Sequence, residues 1–295
     1  MTTSIAEAIL QGAHKLRLSG VPEARREAGS LLAHVLDRDR SFILTHAEDL
    51  LDQQYLEVFH RYLDRRADGE PSQYITGHQE FFGLDFEVNL DVLIPRPETE
   101  LLIETALNLV KDAHDPEAPP FICDVGTGSG CIAITLAHEL PSARVVAVDI
   151  SPAAIAVAKR NAERHAVADR LDFVVSDCFA ELAEVYGPTS PASCFDLIVS
   201  NPPYVSDGDL AGLQREVREF EPHTALAAGE DGLAVIRRLL VESVAFLKTG
   251  GCFVFEIGIN QSEAVTRLID TNTWQLLAVH ADLQGIPRTV ALRRV

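Results

Sequence analysis

Asn201-Pro202-Pro203-Tyr204 directly follows an apolar run, Phe195-Asp196-Leu197-Ile198-Val199, that reads as a buried parallel strand. Neither proline offers a backbone N–H, so the chain must leave the sheet here. In an open α/β sheet the C-terminal ends of the strands are where ligands sit. The loop therefore presents one carboxamide, two fixed carbonyls and an aromatic ring at a binding position. Such a set can grip a planar –NH2 group. The Asn201 amide oxygen and the Pro202 carbonyl can each accept one N–H hydrogen, Tyr204 can cover the flat face, and Pro203 helps keep the loop rigid. Held this way, the nitrogen turns its lone pair toward an electrophile. The plainer alternative is a proline-rich turn after a strand, and the rest of the chain must decide.

A second cluster lies upstream. Asp124-Val125-Gly126-Thr127-Gly128-Ser129-Gly130 stands between a strand and a helix. Glycines let such a turn close tightly and let backbone approach a ligand. Asp149 ends the following strand, about 20 residues on, where a carboxylate can take both hydroxyls of a ribose. Ser151-Pro152 then caps and opens the next helix. The spacing is G-x-G-x-G, Cys131 stands where the dinucleotide fingerprint has its last glycine, and there is no G-K-[ST]. A ligand with a ribose but no phosphate fits this loop, which favours S-adenosylmethionine over NAD. Asp177 ends the third strand and can meet the adenine edge, with Cys178 beside it; the alternative for Asp177 is a helix cap. The candidate cofactor contacts are thus Gly126, Thr127, Gly128, Ser129, Gly130, Asp149, Asp177, Cys178 and Asn201.

These clusters need a scaffold. Ile5, Ala8, Ile9, Ala13 and Leu16 recur at helical spacing up to Ser19-Gly20. Pro22 is suited to open a second helix carrying Ala28, Leu31, Leu32, Val35 and Leu36, and a third covers Gln53 to Ala67. Short amphipathic helices bury their stripes on one another, which predicts a helical bundle over residues 1–75. Gln79 to Val88 alternates aromatic and polar residues around Gly83, the pattern of a β-hairpin, and 76–92 forms a linker. Pro97, Glu98 and Glu100 suit the first turn of an apolar helix. From Phe121 the chain alternates strand and helix, with strands expected at 121–125, 144–149, 171–176, 195–200, 251–257, 274–281 and 288–294. The last two are joined by a short connection through Gly285-Ile286-Pro287 and should pair antiparallel. The expected fold class is α/β: a seven-stranded doubly wound, Rossmann-like sheet over 93–295 behind the small helical domain and the hairpin. Loops are expected at 116–120 and 187–193.

Composition excludes several functions. An apolar fraction of 47% supports a full core. No apolar run reaches the length of a membrane span, and the N-terminus lacks a signal pattern, so a cytoplasmic location is expected. Cys123, Cys131, Cys178, Cys194 and Cys252 mostly sit in or beside apolar runs without a C-x-x-C and read as reduced thiols. The ten histidines are scattered, with no metal constellation. The formal charge is −19, of which −15 lies beyond Glu80. That balance opposes a grip on bare nucleic acid and suits a basic protein partner.

Taken in order, the glycine loop, Asp149 and the Asn-Pro-Pro-Tyr loop resemble class I methyltransferases acting on planar amino nitrogens. The resemblance narrows with Pro71-Ser72-Gln73-Tyr74-Ile75-Thr76-Gly77, Glu80-Phe81-Phe82-Gly83-Leu84, Ile94-Pro95-Arg96-Pro97-Glu98-Thr99-Glu100 and Ser200-Asn201-Pro202-Pro203-Tyr204-Val205. Glu221-Pro222, Ala225-Leu226, Gly229-x-Asp231-Gly232-Leu233 and Glu256-Ile257-Gly258 continue it. Together they resemble the release factor glutamine methyltransferases, the PrmC/HemK family, over nearly the whole chain. The resemblance implies S-adenosylmethionine-dependent methylation of the side-chain amide nitrogen (N5) of the glutamine in the Gly-Gly-Gln motif of peptide chain release factors. It implies a helical domain, a hairpin linker and a seven-stranded methyltransferase domain. One departure is visible: many members carry a bulky apolar residue after the Ser-Asp pair, where this chain has Cys178. Arg96 and Thr99 are candidates to line the substrate pocket, against a helix cap and a surface ion pair. Glu256 is a candidate too, against a buried carboxylate with backbone partners. Phe81 and Phe82 read as hairpin core. The expected enzyme is a monomer with no metal, no direct nucleic-acid partner and no membrane partner. The alternatives are a DNA adenine-N6 methyltransferase, which the acidic balance opposes, and a non-catalytic cofactor-binding interaction module.

Overall fold

The run Val145-Val146-Ala147-Val148 is buried on both faces, as a central strand of a parallel sheet must be. A computed structural model describes residues 3–113, 118–182, 186 and 195–295. By packing, these fall into two units, 1–78 with 214–220, and 79–213 with 221–295. The loop expected at 187–193 lies outside the described residues, as do Cys194 and part of the loop expected at 116–120.

The first unit holds α1 (Ile5–Leu18), α2 (Ala24–Leu36), α3 (Arg40–Thr45), α4 (Gln53–Ala67) and α5 (Ser72–Thr76). Ser4 and Glu7 form a reciprocal capping box at the start of α1. Pro22 does not open α2. The helix begins two residues later, after Glu23 turns into the left-handed region at φ 49°, so the proline belongs to the preceding turn. The short helices α3 and α5 were not legible, being too brief to show a period. Leu16, Ala28, Leu31, Leu32 and Phe59 are fully buried in the shared core. Residues 214–220 join this unit from far along the chain. Buried Arg66 pairs with Glu27 at 3.1 Å and with Glu216 at 2.7 Å, which binds that segment to the bundle.

The second unit opens with a hairpin, β1 (His78–Phe81) and β2 (Leu84–Glu87). Its two-residue turn places Phe82 and Gly83 at φ 53° and 76°. Positive φ at both central positions matches the twist of the flanking strands. Phe81 and Phe86 bury their rings, 6.2 Å apart and edge-on. The sheet comprises β3 (Phe121–Val125), β4 (Arg144–Asp149), β5 (Leu171–Val175), β6 (Phe195–Ser200), β7 (Leu247–Glu256), β8 (Trp274–Ala281) and β9 (Pro287–Arg294), in the order β5-β4-β3-β6-β7-β9-β8. The first five run parallel, and β9 runs antiparallel to both β7 and β8. β7 starts four residues earlier than expected. Phe195 pairs with Leu247 and Leu197 with Cys252, so the intervening glycine-containing stretch is taken up as an irregularity in register.

A turn at Pro97–Thr99 leads into α6 (Glu100–Ala113). Glu100 does more than face the helix dipole: its Oε1 accepts the Phe82 N–H at 3.0 Å, tying the hairpin turn to α6. α7 (Cys131–Glu139) buries Ile132 through Ala137 on all sides against the sheet. α8 (Pro152–Arg164) begins as its sequence dictates, with Ser151 Oγ accepting the Ala154 N–H and Pro152 in the first position. On α8, fully buried Asn161 accepts the Glu87 N–H at 2.8 Å and donates to Glu87 O at 3.0 Å and Ser129 O at 2.8 Å. One amide thus satisfies three backbone groups. Asn161→Ala should leave them unpaired and lower unfolding free energy by about 3 kcal/mol, read from urea denaturation.

Candidate active site

Because β3 and β6 are neighbours, their C-terminal loops meet. Gly126, Gly128, Asp149, Asp177, Cys178, Asn201, Pro202 and Pro203 line one cavity of about 320 Å³. Pro222, Ala225 and Arg238 close its other side.

The glycine loop is clasped onto β4: the N–H groups of Gly126 and Thr127 both donate to Val148 O at 2.8 Å. Gly128 sits at φ 55° with nothing within 4 Å of where a Cβ would be, so its backbone stands open to the cavity. Asp149 takes the Gly128 N–H on Oδ2 at 2.8 Å and the Ser151 N–H on Oδ1 at 2.9 Å. Burial lifts the Asp149 carboxyl above its usual range, and the Ser151 and Gly128 N–H groups pull it back. Each oxygen keeps a further lone pair, enough for a diol.

Thr127, Ser129 and Gly130 are not among the lining residues. Thr127 is buried, with its hydroxyl on Asp124 Oδ2 at 2.7 Å. Ser129 is buried, and a Cβ on Gly130 would meet Ile134 Cδ1 at 2.7 Å and Ala158 Cβ at 3.1 Å. That glycine serves the packing of α7 on α8, because nothing larger fits. Asp124 is fully buried, and burial pushes its carboxyl up to about 7.

Among the described residues the Asp177 carboxylate accepts from a side chain rather than from a helix N–H. Its Oδ1 accepts from Arg238 at 2.8 Å, while Ser176 Oγ accepts the Glu181 N–H. Cys178 is half-buried at φ 51° beside the second core cluster, and burial raises its thiol to about 11. Among the described residues Arg238 is the one basic side chain along the cavity, and it is paired with Asp177 and Glu242. The lining thus suits a ribose-bearing ligand without phosphates, as the fit of S-adenosylmethionine requires.

At the end of β6, Ser200 Oγ donates to Val125 O at 2.7 Å, fixing the departure of the chain. Val205 then bridges to 226–228 through two backbone hydrogen bonds of 2.9 Å. Gln261 Nε2 donates to Tyr204 O at 2.9 Å, and a Cβ on Gly232 would come within 2.4 Å of that oxygen. Gln261 carried no signal in the sequence; Gly232 stood in one of the strings behind the resemblance.

Arg96, Thr99 and Tyr204 do not line the cavity. Arg96 donates to Glu221 at 2.5 Å, an ion pair with a buried carboxylate. Thr99, 2% exposed, stands behind Asn201: Asn201 Nδ2 donates to Thr99 Oγ1 at 3.0 Å, and Thr99 Oγ1 donates to Glu256 Oε2 at 2.7 Å. The Tyr204 hydroxyl reaches Glu256 Oε1 at 3.3 Å. Glu256 is 1% exposed, and among the described residues its side-chain partners are hydroxyls rather than backbone. Burial pushes its carboxyl up to about 7, against the pull of Thr99, Arg288 and Tyr204.

Comparison with known proteins shows what the chain is similar to in sequence and in fold. Residues 7–77 match the PrmC N-terminal domain and residues 121–280 a methyltransferase domain. The release factor glutamine methyltransferase of Koribacter versatilis is 43% identical over 95% of this chain and 94% of its own. That of Cereibacter sphaeroides is 40% identical over 98% of both chains. Among solved structures, the hMettl16 catalytic domain in complex with MAT2A 3'UTR hairpin 6 superposes with a TM-score of 0.55 at 17% identity, covering 89% of this chain and 92% of that one, a likeness of fold.

The raised carboxyls have a measurable consequence. Folded Asp124 binds its proton more tightly than the unfolded chain does, so its stabilisation is full below about pH 4 and is lost as pH rises through about 7. Between pH 5.5 and 7.5 the native protein should lose about 2 kcal/mol of stability relative to Asp124→Asn, measured by urea unfolding of both at each pH.

Proposed function

The chain belongs to the release factor glutamine methyltransferase family, and from that premise we propose that Asn201 and Pro202, with the Tyr204 ring beside them, carry methyl transfer to a glutamine side-chain amide. It methylates N5 of the glutamine in the Gly-Gly-Gln motif of peptide chain release factors, with S-adenosylmethionine as donor. The cavity shared by Asn201, Pro202 and Pro203 with Gly126, Gly128 and Asp149 is the observation that supports the assignment of roles.

The cofactor would lie with its ribose on Asp149, its adenine end toward Asp177 and Cys178, and backbone of Gly126 and Gly128 against it. It supplies an electrophilic sulfonium methyl. A glutamine amide is a poor nucleophile, since its lone pair is shared with its carbonyl, and it is too weak an acid for a side-chain base to help beforehand. Positioning is the available route. The Asn201 amide oxygen and the Pro202 carbonyl each accept one N–H of the substrate, which aims the nitrogen; alignment of this kind supplies about 7–11 kcal/mol in favourable cases. The same two dipoles stabilise the positive charge that develops on nitrogen. The methylated amide is then acidic enough to lose its proton without a strong base.

The proposal extends to organisation. Residues 1–75 help hold the protein substrate, 76–92 link, and 93–295 catalyse. Arg96 and Thr99 support the substrate loop from behind. The enzyme acts as a cytoplasmic monomer on a protein partner, consistent with its charge of −19. Among the described residues no helix is long and apolar enough to cross a membrane. A DNA adenine-N6 activity is disfavoured by the same charge.

Asn201→Ala should lower release factor methylation roughly 100- to 1,000-fold while cofactor affinity changes by less than about threefold. Retained turnover in a labelled-methyl assay would refute the role given to Asn201. Tyr204→Phe should keep more activity than Tyr204→Ala, since the ring persists in the first and not in the second.

A further inference from the structure

Of the two hydrogen-bonding ends of the Asn201 amide, only the oxygen can receive a substrate N–H. A free carboxamide can present either end, and in the wrong orientation its –NH2 would face the –NH2 of the substrate, donor against donor. Something must settle the choice.

We propose that Glu256 is a positioning residue for the methyl acceptor, acting through Thr99 to hold the Asn201 amide with its oxygen turned toward the substrate nitrogen. The proposal rests on the reading of Asn201 given above. An ionised carboxylate accepts and never donates. Thr99 has a single hydroxyl hydrogen and spends it on Glu256 Oε2 at 2.7 Å. Its oxygen can then only accept, so the group 3.0 Å away on Asn201 must be Nδ2. The reversed amide would set two acceptors at that distance with no hydrogen between them. The direction of each hydrogen is thus dictated in sequence from one buried anion. The other carboxylate oxygen takes the Tyr204 hydroxyl at 3.3 Å, so both side chains flanking the two prolines answer to the same group. Thr99 and Glu256 are 2% and 1% exposed, so water offers no competing partner.

Other charged and titratable groups act on Glu256. Glu98 comes from the turn ahead of α6, Arg288 from β9 and Cys131 from α7, besides Tyr204, on which Arg96 also acts. Arg288 is hydrogen-bonded to Asp282, and burial raises the Cys131 thiol to about 12, so that thiol stays neutral. With its carboxyl at about 7, Glu256 gains a proton below neutral pH. Once protonated it can donate to Thr99, and the dictated order is lost.

The test uses the full chain, a release factor as methyl acceptor, and S-adenosylhomocysteine as binding probe. Thr99→Val keeps the shape and removes the relay. It is expected to lower kcat at least roughly tenfold with little change in KM for the release factor, and to leave S-adenosylhomocysteine affinity by calorimetry within about twofold. Thr99→Ser should restore most of the loss. Glu256→Gln, which strips one hydroxyl of its acceptor, should fall between them. The native kcat should drop below about pH 7, and that limb should vanish in Thr99→Val. If folded Thr99→Val turns over as the native enzyme does, the relay is wrong. If kcat and probe affinity fall together, the pair is merely architectural and the proposal is equally overturned. If Thr99→Val does not fold, Thr99→Ser and Glu256→Gln decide by the same comparison. Should the native enzyme leave the release factor glutamine unmodified, the functional reading fails instead, independently of the relay.

Discussion

Prolines at 202 and 203 remove two consecutive backbone donors from the loop after β6. Without them the loop cannot be held by a sheet ladder, and every other restraint around it answers that deficit. Ser200 fixes the exit, Val205 is paired to 226–228, and Gln261 holds the Tyr204 carbonyl. Gly232 allows that carbonyl to approach closer than any side chain would permit. The Asn201 and Tyr204 side chains converge on Glu256, directly or through Thr99. A segment with no regular structure is therefore among the most heavily restrained in the unit.

This restraint is built from polar groups in a dry place, and such networks are costly unless complete. Glu256 is hydrogen-bonded by hydroxyls from two different segments, with the charge of Arg288 contributing from a third. Asp124 is less well served: Thr127 and the Ala133 N–H occupy Oδ2, while Oδ1 has no hydrogen-bond partner among the described residues. Both carboxyls are lifted to about 7 for the same reason, desolvation. Well-packed apolar residues would be more stable at either position. Their polarity gives orientation instead, to Thr99 in one case and to the turn preceding α7 in the other.

Local signals made much of this legible. The strands declared themselves as valine-rich runs, Ser151-Pro152 as a helix start, and the double proline as a strand stop. Asp149 could be found because its chemistry and its place at a strand end are both local facts. What stayed hidden depends on partners far away in the chain. Gln261 meets Tyr204 across 57 residues, and Thr99 meets Glu256 across 157. Residues 214–220 pack with the helical unit through Arg66, 150 positions from Glu216. Gly130 belongs to the loop motif by sequence yet serves a helix contact by geometry, a distinction no spacing rule contains. Pro22 misled because proline is as content in a turn as in a first helical position.

The single amide of Asn161 joins the second strand of the hairpin to the backbone at Ser129, inside the glycine loop. Any ligand that immobilises that loop therefore also slows the opening of β2, and by reciprocity a frayed β2 loosens the ligand. The hairpin is in this sense part of the nucleoside pocket's thermodynamics although it contributes no atom to its walls, and amide exchange at Glu87 becomes a remote gauge of whether that pocket is filled.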